Sequence, residues 1–270
     1  MMRSNTVKTR LAAGETVVNA WLSIGSSYSA EGVGHSGVHS VTVDLQHGML
    51  GFQEALHMLQ AISATPAIPL VRVPDLDPAK IMHLLDAGAY GIICPMISTP
   101  EQAKALVAAC RYPPFGNRSF GPSRGLLYGG KDYVANANET VMVIPMIETA
   151  EAVERIDEIL AVEGIDMIYV GPNDLAFAVE GHVSFPRPAS ESAITRILSS
   201  AMKRRIPVGI FCSDTEDARA RRDQGCALVT PGNDFGHLTR SISAAVTALA
   251  DKEVEPPASF ARSAHAAHGY

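Results

Sequence analysis

Short apolar runs punctuate the chain, and longer stretches with helical spacing fill the gaps between them. The runs cover residues 17–21, 40–44, 68–73, 91–94, 141–147, 167–170, 207–211 and 227–230. Most are apolar at consecutive positions, as strands buried on both faces of a parallel sheet are. Helical spacing covers 51–62, 77–87, 99–110, 149–159, 190–204 and 215–224, and a last helical stretch spans 238–250. About eight strand-plus-helix units without an internal repeat predict a (β/α)8 barrel of the TIM type. A doubly wound open sheet is the other architecture this alternation permits. Its dinucleotide fingerprint, GxGxxG after the first strand, is absent.

Two regions depart from the alternation. Residues 112–136 are rich in Gly and Pro and poor in aliphatic side chains, so they read as a loop excursion over one end of the barrel. Residues 253–270 carry Pro256-Pro257 with several Ala, Ser and His. The division predicted is a single barrel domain over 1–252 and a polar tail over 253–270, or an arm that packs on a neighbour.

Composition narrows the class. The chain has 270 residues, 47% of them hydrophobic, which is ample for one large core. A net charge of −6 and the lack of any Lys/Arg-rich run argue against nucleic acid or an anionic membrane as partner. Cys94, Cys110, Cys212 and Cys226 form no CxxC pair, and Cys94 and Cys212 fall in apolar runs. A reducing compartment is the expectation. The first residues contain no continuous apolar segment and no run is long enough to span a bilayer, so a cytoplasmic location is expected.

In such a barrel the chemistry sits at the C-terminal ends of the strands. Asp44 and His47 end the second run, Arg72 lies near the end of the third, Glu148 ends the fifth and Asp174 follows the sixth. Four strands thus deliver charged side chains and a histidine to one end. Two carboxylates left together would repel, and one would take up a proton. A divalent cation resolves this, since Mg²⁺ or Mn²⁺ accepts one or two carboxylates and fills its octahedron with water and substrate oxygens. Helix capping is the plain alternative for Glu148 and Asp174, and the two roles can coexist.

Arg72, flanked by valines, is expensive to bury unless it is paired. It is either a planar donor for an anionic or enolate oxygen or half of an internal ion pair. His47 is a proton carrier or an ordinary loop histidine, and the nearby Asp44 favours the former by offering a carboxylate to the imidazole. Asp86, closing Leu84-Leu85-Asp86-Ala87-Gly88, is helix punctuation on the residues alone. Gly171-Pro172-Asn173 opens a helix whose N–H groups could receive a carboxylate. Together these describe a site for a small α-keto acid. No lysine falls within or at the end of a strand-like run, which disfavours a Schiff-base aldolase and pyridoxal phosphate alike.

The segments WLSIGSSYSAE (21–31), VDLQHG (43–48), LVRVP (70–74), KIMHLLDAGAYGIICPM (80–96), RYPPFGNRSFGPSRG (111–125), PMIET (145–149) and YVGPNDLA (169–176) carry a resemblance. They look like the class II, metal-dependent pyruvate aldolases of the 4-hydroxy-2-oxoheptanedioate aldolase family, which is related to the citrate lyases. The resemblance implies a phosphoenolpyruvate/pyruvate-type barrel, with a C-terminal helix that can be swapped between subunits. It implies His47 as general base, Arg72 as enolate-stabilising donor and Asp86 as the acid that raises the basicity of His47. Glu148 and Asp174 match the metal carboxylates, with Mg²⁺ or Mn²⁺ first and Co²⁺ or Zn²⁺ as substitutes. Gly171, Pro172, Asn173 and Phe211 match substrate contacts, and Asp44 matches an acid that supports the site from behind. A homohexamer, arranged as a trimer of dimers with sites near subunit boundaries, is implied as well. Met146 departs from the pattern, because many heptanedioate-type members carry Gln there, and a thioether cannot donate a hydrogen bond.

The expected reaction is reversible retro-aldol cleavage of a 4-hydroxy-2-oxo acid to pyruvate or hydroxypyruvate plus an aldehyde. Two rivals remain on the residues. One is a carbon–carbon lyase acting on a CoA thioester, for which only the scattered Arg111, Arg118 and Arg124 offer charge to the nucleotide phosphates. The other is a non-catalytic keto-acid-binding barrel, which would have no reason to keep His47, Arg72, Glu148 and Asp174 together.

Overall fold

The computed structural model describes residues 3–250. The tail expected over 253–270 lies outside them. Eight parallel strands close into a barrel in sequence order. They are β1 (Val17–Leu22), β2 (Ser40–Asp44), β3 (Ile68–Arg72), β4 (Gly91–Cys94), β5 (Met142–Ile147), β6 (Ile168–Val170), β7 (Val208–Cys212) and β8 (Leu228–Pro231). The helices are α1 (Thr6–Ala12), α2 (Ser27–Gly34), α3 (Phe52–Ser63), α4 (Pro78–Asp86), α5 (Pro100–Cys110), α6 (Ser123–Gly129) and α7 (Tyr133–Thr140). They continue with α8 (Ala150–Glu154), α9 (Ile156–Ile159), α10 (Pro172–Glu180), α11 (Pro188–Arg204), α12 (Thr215–Asp223) and α13 (Asp234–Leu249).

Two apolar layers hold the barrel. One fills the gap between strands and helices. There α3 buries Ala55, Met58, Leu59 and Ile62, one stripe at three- and four-residue spacing. The other lies inside the barrel, where Val17, Trp21, Ile68, Leu70, Ile93, Met142, Ile144, Met146, Met167, Tyr169 and Leu228 meet. Polar side chains in that interior satisfy one another. Asn19 donates to Thr230 Oγ1, Ser40 and Thr42 donate to Asn19 Oδ1, and the Tyr169 hydroxyl donates to Thr230 Oγ1. Local signals set the helix ends. Asp77 caps α4 by accepting from Ala79 N at 2.9 Å, with Pro78 in its first turn. Such a cap contributes about 1 kcal/mol.

The excursion at 112–136 is not a plain loop. It contains α6 and the start of α7, built from aromatics and glycines rather than aliphatics. Tyr133 is fully buried, and a Cβ at Gly125 or Gly129 would stand 2.8 or 2.6 Å from its ring. The glycines are there for close packing. Because α5 carries the chain back from the C-terminal ends of the strands, this excursion lies at the N-terminal end of the barrel. Residues 149–159, read as one helix, divide into α8 and α9 at Arg155, whose backbone leaves the helical region at φ −96°, ψ 15°. The last helix, α13, begins four residues earlier than the predicted 238 and buries only Gly236. Phe235, Leu238, Ile242, Val246 and Leu249 are all exposed along it.

Candidate active site

The parallel register sets Asp44 beside Arg72 at the ends of β2 and β3. The guanidinium grips the carboxylate with two donors, Nε to Oδ1 at 2.8 Å and Nη2 to Oδ2 at 2.5 Å. The Trp21 indole N–H donates to Oδ2 at 3.1 Å, and the Arg72 guanidinium lies 4.9 Å over the indole ring. Arg72 is only 8% exposed and Asp44 only 2%. Burial pushes the Asp44 carboxyl up. The Arg72 hydrogen bonds and charge, together with donation from Trp21 and from Gln46 N, outweigh it and hold the group below its ordinary range. The ion-pair role open to Arg72 is therefore realised, and Nη1 is left over for a ligand.

Asp44 also organises the loop that follows. Its Oδ1 accepts the backbone N–H groups of Gln46 at 3.0 Å and His47 at 3.3 Å. Its contacts thus run to the arginine, the indole and the chain that carries the imidazole.

Glu148 follows β5 and is 2% exposed. Its Oε1 accepts the Met96 N–H at 2.7 Å, whereas its Oε2 is buried without a hydrogen-bond partner. Burial pushes its carboxyl up to about 7. The Met96 N–H opposes the rise, the nearby Asp174 charge adds to it and the Arg72 charge opposes it. Met96 holds its donor there from a left-handed backbone, φ 59°, which a non-glycine residue adopts only under constraint. Gly171 is required in the same place, because a Cβ on it would overlap Glu148 Oε2 and approach the Met146 methyl at 3.1 Å. A buried, partnerless carboxylate oxygen with a carboxylate neighbour fits a divalent cation. Among the described residues no group of three or more His, Cys, Asp or Glu could hold a metal. The fit is with a cation that takes few protein carboxylates and keeps open positions.

Asp174 and Asn173 stand in the first turn of α10, with Pro172 at its start. The N-cap residue is Gly171 and no side chain caps this end, so the first-turn N–H groups are available to an anion. Asn173 Oδ1 accepts from Arg187 Nη1 at 2.9 Å. Phe211, near the end of β7, sets its ring edge-on to Trp21 at 5.8 Å. His47, Arg72, Glu148, Asp174, Gly171, Pro172, Asn173, Phe211 and Asp44 are therefore all delivered to one mouth of the barrel.

Asp86 is not brought there. It is the last residue of α4, which returns the chain to the N-terminal end of the barrel. It accepts from Arg118 Nη2 at 2.6 Å, and Arg118 also donates to the Tyr133 hydroxyl and stacks over Tyr112. Within one chain, Asp86 and His47 occupy opposite ends. The other excursion arginines are likewise committed to the fold. Arg111 binds Val141 O, Gly164 O and Asp166, and Arg124 binds Ala87 O, Leu59 O and Ser63. None of the three is offered to nucleotide phosphates at the mouth.

Two contributors were not singled out in the sequence. Trp21, the one tryptophan, had its rarity as a signal. Met96 had none, because a backbone N–H serves Glu148 and any residue carries one.

Comparisons with known proteins place this barrel among its relatives. A family model described as HpcH/HpaI aldolase/citrate lyase matches residues 18–241. The hydroxypyruvate/pyruvate aldolase of Rhizorhabdus wittichii is 41% identical over 238 residues, covering 87% of this chain and 94% of that protein. The 5-keto-4-deoxy-D-glucarate aldolase of Klebsiella pneumoniae is 34% identical over 235 residues, 86% of this chain and 91% of its own. The crystal structure of a protein of the same family from Burkholderia cenocepacia superposes with a TM-score of 0.87 at 34% identity, covering 91% of this chain and 99% of that one. The closed parallel barrel and the match across nearly all of it lead to one conclusion: the chain belongs to the HpcH/HpaI aldolase/citrate lyase family.

Proposed function

We propose that the protein is a metal-dependent aldolase that cleaves 4-hydroxy-2-oxo acids reversibly to pyruvate or hydroxypyruvate and an aldehyde. The observation that carries this reading is the buried, partnerless Glu148 Oε2 beside Asp174 and the Arg72–Asp44 pair at one barrel mouth. A divalent cation held by Glu148 and Asp174, Mg²⁺ or Mn²⁺ with Co²⁺ or Zn²⁺ as substitutes, supplies Lewis acidity toward the keto-acid oxygens.

In the cleavage direction His47 takes the proton of the C4 hydroxyl. The C3–C4 bond breaks, the aldehyde departs, and the electron pair moves to the C2 oxygen as an enolate. Arg72 donates through Nη1 to that oxygen, and Asp44 fixes the guanidinium by binding its other two edge donors. A proton returned to C3 completes pyruvate. The first-turn N–H groups of Asn173 and Asp174 receive the substrate carboxylate. Met146, buried under Gly171, gives the donor pocket an apolar floor.

Asp86 tunes His47 in this scheme only if a second copy of the chain brings it across a subunit boundary. The exposed apolar face of α13 supports such an assembly, with the helix swapped onto a neighbour in a hexameric trimer of dimers. A screen of aldehydes against pyruvate and hydroxypyruvate tests the reaction, run on chelator-treated protein with and without each cation. We expect turnover only after a cation is restored. Equal turnover by the stripped protein rules the scheme out.

A further inference from the structure

The loop that carries His47 is pinned on both sides. On the near side Leu45 N donates to Arg72 O at 2.9 Å, and the Asp44 carboxylate accepts from Gln46 N and His47 N. On the far side, two residues past His47, Met49 N donates to Ser23 O at 3.1 Å. Between them Gly48 packs so closely that a Cβ would stand 2.1 Å from Asp44 O. The imidazole is therefore only as well placed as Asp44 and Ser23. Asp44 ends a buried strand. Ser23 lies beyond the last residue of β1, in the loop before α2, and needs its own support.

Asp234, the first residue of α13, gives that support. Its Oδ1 accepts from Ser23 N at 2.8 Å and from Ser23 Oγ at 2.9 Å, and its Oδ2 accepts from Ile24 N at 3.1 Å. A carboxylate at a helix start has a plainer role, capping. Asn233 already fills it, its Oδ1 accepting from Gly236 N at 2.8 Å. Asp234 takes Phe235 N in its own turn and otherwise faces a loop 211 residues earlier in the chain. The contacts form one line: Asp234 holds Ser23, and Ser23 holds Met49 beside His47.

We propose that Asp234 is a positioning residue for His47, acting through Ser23 and Met49. This rests on the aldolase reading above, in which His47 takes the C4 hydroxyl proton. Such a transfer depends on placement, and a misplacement of about 1 Å can cost about 100-fold in rate. Glu148 and Asp174 follow β5 and β6, across the barrel from this clamp, so cation binding does not depend on it.

The test follows cleavage of 4-hydroxy-2-oxopentanoate by Mn²⁺-loaded protein, with Mn²⁺ affinity measured by calorimetry. We expect Asp234→Ala to lower kcat at least about tenfold while KM and Mn²⁺ affinity stay within about threefold. Asp234→Asn keeps one acceptor oxygen and should keep a larger share of kcat. Asn233→Ala is the structural control: it removes the cap of the same helix and leaves the Ser23 bonds, so Tm falls and kcat stays within about threefold. On a His47→Ala background, Asp234→Ala should cost less than about threefold more, because both changes act through one group. An unchanged kcat in Asp234→Ala, an equal fall in Asn233→Ala, or a loss shared by KM and Mn²⁺ affinity overturns the proposal. A further tenfold loss on top of His47→Ala overturns it too. If Asp234→Ala does not fold, Asp234→Asn decides on the same split, and a kcat equal to wild type ends the proposal. Each of these leaves the aldolase reading standing. No turnover of any 4-hydroxy-2-oxo acid by wild type removes both.

Discussion

Two arginine–aspartate pairs mark the two ends of this barrel, one fully buried and one with a half-buried aspartate, and they are built in opposite senses. At the mouth, Arg72 binds both oxygens of Asp44, so the aspartate is used up and one guanidinium nitrogen is spare. At the base, Arg118 binds only Oδ1 of Asp86 and spends another nitrogen on Tyr133, so a carboxylate oxygen is spare. The charge states follow. Asp44 is held below the ordinary carboxylate range, whereas burial holds Asp86 above it despite Arg118. Ion pairing alone therefore does not identify a catalytic arginine. What matters is which partner keeps an unused group, and whether other unsatisfied polar atoms face it. Arg72 has Glu148 and Asp174 across the mouth. In the proposed scheme Asp86 meets His47 only across a subunit boundary.

The comparison breaks most visibly at Arg72. Replacing it with Lys keeps the charge and loses the fork, so that Asp44 no longer receives two donors from this side chain beside those of Trp21, Gln46 and His47. We expect kcat/KM to fall about 10²–10³-fold, the scale of removing one preorganised donor to a developing oxyanion. Steady-state kinetics on folded, metal-loaded protein measure this. A loss under about fivefold would mean that the spare nitrogen does not meet substrate.

Glu148→Gln should give the next largest effect, and an opposite one on stability. With its pKa raised from 4.5 to about 7, the folded state binds a proton more tightly than the unfolded chain does. The stability this group contributes is complete below about pH 4.5 and is lost as pH rises through about 7. Metal-free protein above pH 7 thus carries the whole cost of a buried charge, and Glu148→Gln should stabilise it by about 2–3 kcal/mol. At pH 5 the gain should nearly vanish. Denaturant melts at the two pH values, with chelator present, check the sign.

Asp86→Asn gives the smallest expected change and sharpens the contrast best. If Asp86 serves His47 across a boundary, kcat/KM falls about tenfold, and the acid limb of the pH–rate profile moves down as the imidazole loses its carboxylate. A purely local role would lower the melting temperature and leave the profile in place.

Much of this was legible because the relevant signals are local. All eight strands begin and end within one residue of the apolar runs, since a strand buried on both faces leaves no polar residue to blur its edges. The polar residues at those ends stood out for the same reason. The helices α6 and α7 did not, because their packing rests on Tyr128, Tyr133 and close-packed glycines rather than an aliphatic stripe. Asp86 looked like helix punctuation because its partner Arg118 arrives 32 residues later, on the excursion.

The most direct measurement is exchange of the pyruvate methyl protons with D₂O, followed by NMR without any aldehyde. It isolates enolate formation from the acceptor. We expect metal-stripped protein to exchange at least about 100-fold more slowly than protein reloaded with Mg²⁺ or Mn²⁺. Glu148→Gln and Arg72→Lys should not recover the reloaded rate. Exchange at the same rate in stripped and reloaded wild type would contradict the assignment of the mouth as a metal-assisted enolate site.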